Sequence, residues 1–518
     1  MPLGRLASGE FARVICALSA ETNRQIGVLI DRLGTITHVI VGDHERIVIP
    51  PLDGYRAAPS RLSGLRLLHT HLDNAGLSQE DLTDLALLRL DVVGALTLSP
   101  AGLPQAAYLA HLLPENPAGA YWEILPPLRP EEVERFDFGA FISALEDELK
   151  AKERPRPVEM GDRALLIRVE TKDALTGKKS LEELKALAHS CGIEVYDTVM
   201  QLRPQLDVRC VVGKGKLTDI IMRALQVGAN LLIFDHELTA AQVRTIGELT
   251  EMEVMDRTQV ILEIFARRAH SREGKIQVEL ARMKYLLPRL VGRYRTLSRL
   301  TGGIGARGPG ETKLEEMRRL VRDRISRLEK ELKYVGEERR QRRRKRLKAE
   351  LPVISIVGYT NAGKSTLLNT LTKSNVLAED KPFATLDPKS ARLRFPRERE
   401  AIITDTVGFI RNLPADLLAA FRATLDELKE AHLLLHVVDI ADPDYREHIR
   451  AVEEILDKLD CLKKPRLLVL NKADLFAAQG ELSALCARFD AIAISALDEG
   501  TLEPLMAKIE ERLKGCFP

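Results

Sequence analysis

The sequence predicts an α/β protein of several domains, and three patterns predict it. Residues 353–366, VISIVGYTNAGKST, carry an apolar strand into G-x-x-x-x-G-K-S and on into a helix, the arrangement of a P-loop. Residues 161–257 alternate strand-like and helix-like runs, as a small parallel α/β domain does. Residues 258–349 carry two apolar stripes at helical spacing on either side of a glycine-rich loop, which makes a long antiparallel helical hairpin. At 518 residues the chain exceeds what one core serves, and residues 1–150 supply an extra N-terminal α/β domain.

In order along the chain, QIGVLIDRLGTITHVIVG and RIVI read as strands, SQEDLTDLALLRL as a helix and VVGALTL as a strand. The charged, proline-bearing stretch LKAKERPRPVEM leads out of this domain, with residues 151–160 as the linker. Next come strand ALLIRVE, helix SLEELKALAHSC stopped by Gly192, strand IEVYDTVM, helix KLTDIIMRALQVG, strand NLLIFD, helix TAAQVRTIGELT and strand EVMD. In the hairpin, Ile276, Leu280, Met283, Leu287, Leu290 and Tyr294 form one stripe. Leu314, Met317, Val321, Ile325, Leu328, Leu332 and Val335 form the other, and Pro288 is expected to kink the first helix. Residues 350–518 hold the P-loop domain.

An apolar content of 45% with 29% charged residues excludes a disordered chain, and no run approaches the roughly 18 apolar residues of a membrane span. The first twenty residues lack the pattern of a signal peptide, and six scattered cysteines without a C-x-x-C pair point to reduced thiols and a cytoplasmic setting. The net charge of +2 is unevenly spread: residues 267–350 carry 27 basic and 11 acidic side chains. A basic segment on an otherwise acidic chain suggests a polyanionic partner, most simply nucleic acid, with a solvated helix face as the plainer reading.

The loop GGIGARGPGET, 302–312, contains G-x-G-x-x-G, but it sits at the turn of two helices and not between a strand and a helix. A dinucleotide site is therefore not expected there. Gly302, Gly303, Gly305, Gly308 and Gly310, with Arg307 as the one cation, suit close approach to a phosphate-lined surface; a plain turn is the alternative.

The P-loop carries the chemistry. Backbone N–H groups of Gly358, Tyr359, Thr360, Asn361, Ala362 and Gly363 and of the following helix, with Thr366 in its first turn, are placed to cradle phosphates. Lys364 reaches the β and γ oxygens, and Ser365 gives Mg²⁺ a hydroxyl. In KPFATLDP, Phe383 and Ala384 lead to Thr385, placed to give Mg²⁺ a second hydroxyl and to sense the γ-phosphate. In IITDTVGF, Asp405 would hold the metal through water, Thr406 and Val407 follow, and the Gly408 N–H contacts the γ-phosphate. Lys364, Thr385 and Gly408 are thus the catalytic candidates. In LLVLNKAD, Asp474 can accept from the ring N–H and exocyclic amine of guanine, which adenine cannot match, so the pocket selects GTP. Asn471 and Lys472 complete it, and Ser495 and Ala496 would offer a backbone N–H to the guanine oxygen.

Two departures matter. Phe409 stands where a glutamine would commonly orient the attacking water, so hydrolysis should be slow until a partner completes the site. Asn361 stands where, in related potassium-stimulated GTPases, an asparagine helps hold K⁺ beside the phosphates; the alternative is that it only stabilises the loop.

At residues 160–518 the chain resembles the HflX GTPases of the translation-factor class, through DRTQVILEIFARRAHSREGKIQVELA, GGIGARGPGET, GYTNAGKST, DTVGFI and NKAD. The resemblance implies a GTP hydrolase that binds the large ribosomal subunit and splits or rescues stalled ribosomes under stress. It also implies that the hairpin tip reaches ribosomal RNA. A ribosome-assembly GTPase, and a GTP-dependent regulatory module without significant turnover, are the other readings. Within residues 1–150, His69, His71, Ser78 and Asp81 follow the order H-x-H…S-x-x-D, which resembles the signature of JAMM metalloproteases. That resemblance implies zinc held by the two histidines and the aspartate. Leu72 replaces the proline expected after the second histidine, the spacer is short, and Glu21 is the conceivable catalytic carboxylate. A fold relative without catalysis, or surface histidines, are the alternatives.

Overall fold

The computed structural model describes residues 1, 4–50, 52, 62–73, 75–114, 120–151, 161–171, 173–250, 252–290, 313–347, 351–373, 383, 389–395, 399–411 and 426–516. They form two compact units: Met1–Leu181 with Ile193–Leu238 and Thr245–Met255, and Glu182–Gly192 with Thr239–Arg244 and Asp256–Pro518.

The first unit opens with α1 (Gly9–Thr22), whose N-cap Ser8 accepts from the Phe11 N–H. It is followed by β1 (Ile26–Asp31), β2 (Ile36–Val41), β3 (Leu65–His71), α2 (Gln79–Leu87), β4 (Val92–Leu98), β5 (Pro104–Leu112) and β6 (Trp122–Ile124), then α3 (Pro130–Arg135) and α4 (Phe138–Ala151). The strands form one sheet in the order β2-β1-β3-β4-β5-β6. Only β3 and β4 run parallel, joined by the α2 crossover; the other pairs are antiparallel. Both central strands are buried along their whole length, as strands covered on two faces are. Arg66 lies inside, donating to the Leu6 and Asp31 carbonyls at 3.0 and 2.8 Å, and burial pushes its pKa down to about 10.

Two expectations for this region need correction. RIVI (46–49) joins no strand: it turns back beside Gly42 through Asp43 N–H to Arg46 carbonyl (3.0 Å) and buries Ile47, ahead of Pro50 and Pro51, which have no N–H to give a ladder. Residues 149–151, at the start of the proline-bearing stretch, belong to α4, while 152–160 lie outside the described residues.

A second sheet has β7 (Arg163–Glu170), α5 (Ala174–Ser190), β8 (Glu194–Leu202), α6 (Lys214–Val227), β9 (Leu231–Phe234), α7 (Ala240–Leu249) and β10 (Glu253–Asp256), in the strand order β10-β9-β7-β8. β7 runs parallel to both β8 and β9. Gly192 and Gly228 follow α5 and α6 at φ +69° and +76°, where a side chain would be strained. Helix α6 faces the first sheet's domain: Met222 joins its core, and Gln226 Nε2 donates to the carbonyls of Pro114 (3.2 Å) and Ala120 (2.9 Å).

In the second unit, Asp256 and Gln259 form a capping box on α8 (Arg257–Arg268), and Ser271 caps α9 (Arg272–Leu286). The α-helix gives way to a 3₁₀ turn, Leu287–Arg289, at Pro288. Helix α10 (Lys313–Leu347) returns antiparallel: Arg272 pairs with Glu331 and Glu279 with Arg324. Ile276, Leu280, Met283, Leu290, Val321 and Leu328 are the buried core of this hairpin, with Leu287, Met317, Ile325, Leu332 and Val335 packed on it. Tyr294 and the tip 302–312 lie outside the described residues.

The last sheet comprises β11 (Val353–Gly358), β12 (Lys389–Arg394), β13 (Glu400–Asp405), β14 (Leu433–Asp439), β15 (Arg466–Asn471) and β16 (Ala491–Ala493), in the order β12-β13-β11-β14-β15-β16 with β12 alone antiparallel. Its helices are α11 (Lys364–Thr372), α12 (Tyr445–Lys458), α13 (Gln479–Phe489) and α14 (Leu502–Arg512). All six cysteines of the chain are free thiols, and burial pushes Cys16 and Cys191 up to about 12, where they are inert. Among the described residues no helix is long and apolar enough to cross a membrane.

Candidate nucleotide site

Parallel strands deliver their loops to one edge, and the P-loop residues lie at that edge, between β11 and α11. Two glycines are obligatory there for close approach. A Cβ on Gly358 would come within 2.2 Å of the Val437 carbonyl oxygen, and one on Gly363, at φ +87°, within 2.2 Å of Asn471 Nδ2. Asn361 holds φ +64°, a conformation asparagine tolerates better than most residues. Lys364 is buried with Nζ donating to the Tyr359 carbonyl at 2.6 Å, and burial pushes its pKa down to about 8. Ser365 Oγ donates to Asp405 Oδ2 at 2.7 Å, with Asp405 buried at the end of β13. A hydroxyl and a carboxylate at a helix N-terminus are hard oxygen donors, which suits Mg²⁺.

The segment after β13 is laid along the P-loop by its backbone. Phe409 N–H donates to Gly358 (3.1 Å), Thr360 N–H donates to Phe409 (2.8 Å), and Thr406 Oγ1 donates to Ile356 (2.6 Å). Gly408 is held so close that a Cβ would lie 3.0 Å from Thr360 Cγ2 and 3.1 Å from Lys364 Nζ. Val407 and Phe409 are buried, the latter 1% exposed, so the Phe409 ring faces the interior.

At the base-reading end, Asn471 is a buried brace. Its Nδ2 donates to the Ala362 carbonyl at 2.8 Å, and its Oδ1 accepts from Ala496 N–H at 2.9 Å. Lys472, at φ +59°, pairs with Asp439 at 2.7 Å, and Asp474 is exposed in the following turn. The amides of Ser495 and Ala496 are both engaged, Ser495 with Thr501 Oγ1 at 3.0 Å, so neither N–H is spare for a guanine oxygen in this conformation. Phe383 is turned away as well: its ring, 2% exposed, packs edge-on against Phe265 of α8 at 4.7 Å. Ala384 and Thr385 lie outside the described residues.

One group of residues at this site has no signature in the sequence. Tyr359 OH donates to Glu183 and accepts from Arg411 N–H at 2.9 Å, while its ring stacks on His448 at 3.9 Å. Glu183 also takes Arg257 at 2.6 Å, and Arg411 takes Glu447 at 2.8 Å. Burial next to the Glu183 carboxylate pushes the Tyr359 phenol well above its ordinary range. Glu183 lies 176 residues from Tyr359, and no local pattern connects positions that far apart.

Elsewhere, His69, His71 and Asp81 are brought together in the first unit and are buried, which removes the surface-histidine reading. Glu21 does not join them: it is exposed on α1.

Comparison with known proteins bears on the same regions. Residues 353–472 match the family model of a 50S ribosome-binding GTPase, 178–266 that of a GTP-binding GTPase N-terminal region, and 268–346 that of a GTP-binding GTPase middle region. GTPase HflX of Alkalihalophilus pseudofirmus is 47% identical over 340 residues, 66% of this chain and 80% of that protein. GTPase HflX of Escherichia coli is 45% identical over 320 residues, 61% of this chain and 74% of that one. A GTP-binding protein from Sulfolobus solfataricus, solved in complex with GDP, is 28% identical and covers 68% of this chain and 99% of its own, with a TM-score of 0.38. On the strength of the identities to the two HflX GTPases and of a P-loop sheet that carries the matching strings in order, the chain belongs to the HflX family of GTPases and is a GTP hydrolase.

Proposed function

We propose that this GTPase acts on the large ribosomal subunit in the cytoplasm, coupling GTP binding and hydrolysis to the splitting or rescue of stalled ribosomes. The observation that carries the reading is Phe409. It has no hydrogen-bonding side-chain atom, is buried, and is pinned through its backbone to Gly358 and Thr360, so it cannot orient a water. A hydrolase whose own chain leaves that task undone needs a partner to finish the site. The partner's chemistry is suggested by residues 267–350, with 27 basic against 11 acidic side chains, as ribosomal RNA requires. The tip residues Gly302–Gly310 with Arg307 would meet that RNA.

GTP lies with its phosphates against the loop of residues 358–366 and Lys364, and its guanine between Lys472, Asp474 and the loop at Ser495–Ala496. Magnesium, held by the hydroxyls of Ser365 and Thr385 and through water by Asp405, would supply the charge that neutralises the β and γ oxygens. Thr385 and the Gly408 N–H sense the γ-phosphate, and its loss releases both segments. Asn361, held at φ +64°, would help hold K⁺ beside the phosphates, with a purely structural role in the loop as the alternative.

The test is GTP turnover in KCl and in NaCl, with and without purified mature large subunits or their precursors. Stimulation of about tenfold or more by mature subunits, stronger in KCl, is expected. Stimulation confined to precursor particles would replace rescue with assembly, and turnover indifferent to both would remove the ribosome from the reading.

A further inference from the structure

We propose that His69, His71 and Asp81 form a divalent transition-metal site, zinc in the first place, that clamps α2 onto β3 and does no hydrolysis. Strand alternation puts His69 and His71 on one face of β3, and Thr70 on the other. Asp81, in the first turn of α2, arrives over the histidine face. Its Oδ1 lies 3.1 Å from His69 Nε2 and its Oδ2 lies 3.4 Å from His71 Nε2, while the two Nε2 atoms are 2.8 Å apart. Tetrahedral zinc with bonds of about 2.0–2.1 Å separates its ligand atoms by about 3.3 Å, close to these spacings.

The surroundings fix each group for that purpose. His71 Nδ1 lies 3.1 Å from the Ala75 carbonyl, which can only accept, so the ring proton is on Nδ1 and the Nε2 lone pair faces the cluster. Ser78 donates its N–H (2.7 Å) and its hydroxyl (2.8 Å) to Asp81 Oδ2, holding the carboxylate from behind. His69 is fully buried, and among the described residues its Nδ1 has no partner and its ring meets polar groups through Nε2. Two imidazole nitrogens and a carboxylate oxygen thus converge in a place 0–7% exposed, a set of lone pairs that needs either a shared proton or a metal cation among them, and the spacings suit the metal. Among the described residues the group comprises these three.

The same geometry argues against hydrolysis. Ser19 Oγ of α1 is hydrogen-bonded to Thr70 Oγ1 at 2.7 Å, so α1 covers the face of β3 opposite the histidines. Glu21, two residues further along α1 and exposed, is therefore on the wrong side to serve a metal-bound water. What the ion joins instead is structural: α2 packs on α6, whose Met222 enters this domain's core, so occupancy stiffens that junction.

The test uses the full-length protein purified without chelators, with metal content by mass spectrometry. About one zinc per chain is expected. Asp81→Asn should weaken zinc retention at least about tenfold, whereas His44→Ala, at an exposed histidine, should leave it unchanged. Because Asp81 also caps α2, the wild-type protein is stripped with a zinc-selective chelator in excess Mg²⁺. Its melting midpoint should fall by roughly 5 °C and recover with one equivalent of Zn²⁺, not with more Mg²⁺. Absence of any transition metal together with a midpoint indifferent to Zn²⁺, Fe²⁺ and Mn²⁺ would overturn the site. Zinc retained equally by Asp81→Asn would place it elsewhere, and zinc-dependent cleavage of a quenched peptide would overturn the non-hydrolytic role.

Discussion

Lys364 is a cation almost wholly removed from water, and burial has already pushed its pKa down to about 8. An ion kept in that condition is stabilised by the phosphates it meets. Lys364→Ala should therefore lower GTP affinity by at least about a hundredfold in a fluorescent-nucleotide titration while leaving the melting curve nearly unchanged; unaltered affinity would remove the phosphate site from this loop. His436 shows the opposite case. It is 1% exposed on β14, neither ring nitrogen has a partner among the described residues, and burial, then Arg466 and Lys364, push its pKa down to about 3. Its folded pKa lies below the unfolded value of 6.5, so the stability it leaves intact above pH 6.5 is lost as pH falls towards 3, by about 1.4 kcal/mol per unit. His436→Leu should flatten that part of a stability-against-pH curve measured by urea unfolding.

Among the elements, the hairpin was the most legible in the sequence, because its apolar residues repeat with the helix period and pack against one another alone. Leu280→Ala should cost about 2–5 kcal/mol of that packing, read as a lower unfolding midpoint, with nucleotide affinity retained. The second sheet was legible for a similar reason: short apolar strands alternate with amphipathic helices, and Gly192 and Gly228 mark the stops. RIVI carried the composition of a strand and lost to its context, with the Asp43–Arg46 turn before it and prolines downstream. The antiparallel strand at Pro104–Leu112 went unread because its proline and three alanines give no clear alternation. The strings at the nucleotide site could be located in the sequence since each is local, a few residues at the end of one strand, and their roles with GTP are those proposed above. The packing of Phe383 on Phe265 and the Glu183–Tyr359–Arg411 group were invisible in the sequence because their partners lie on distant elements.

For the whole molecule, the N-terminal domain is more than an appendage to the α/β sheet that follows it. Gln226 and Met222 of α6 are satisfied by its carbonyls and its core. Removal of residues 1–160 should lower the melting midpoint by about 2–4 °C and promote association, through an exposed methionine and an amide stripped of two acceptors, while GTP affinity stays within about twofold. Calorimetry and light scattering on the truncated protein would check both; an unchanged midpoint with a monodisperse product would show the contact to be incidental. The same shared surface makes inheritance asymmetric. Acquiring such a domain requires only that the first contact be tolerated, but once α6 has been reshaped to fit it, losing the domain exposes what was reshaped. Descent should therefore retain residues 1–150 more readily than it discards them, and a lineage that does discard them should first turn position 222 polar.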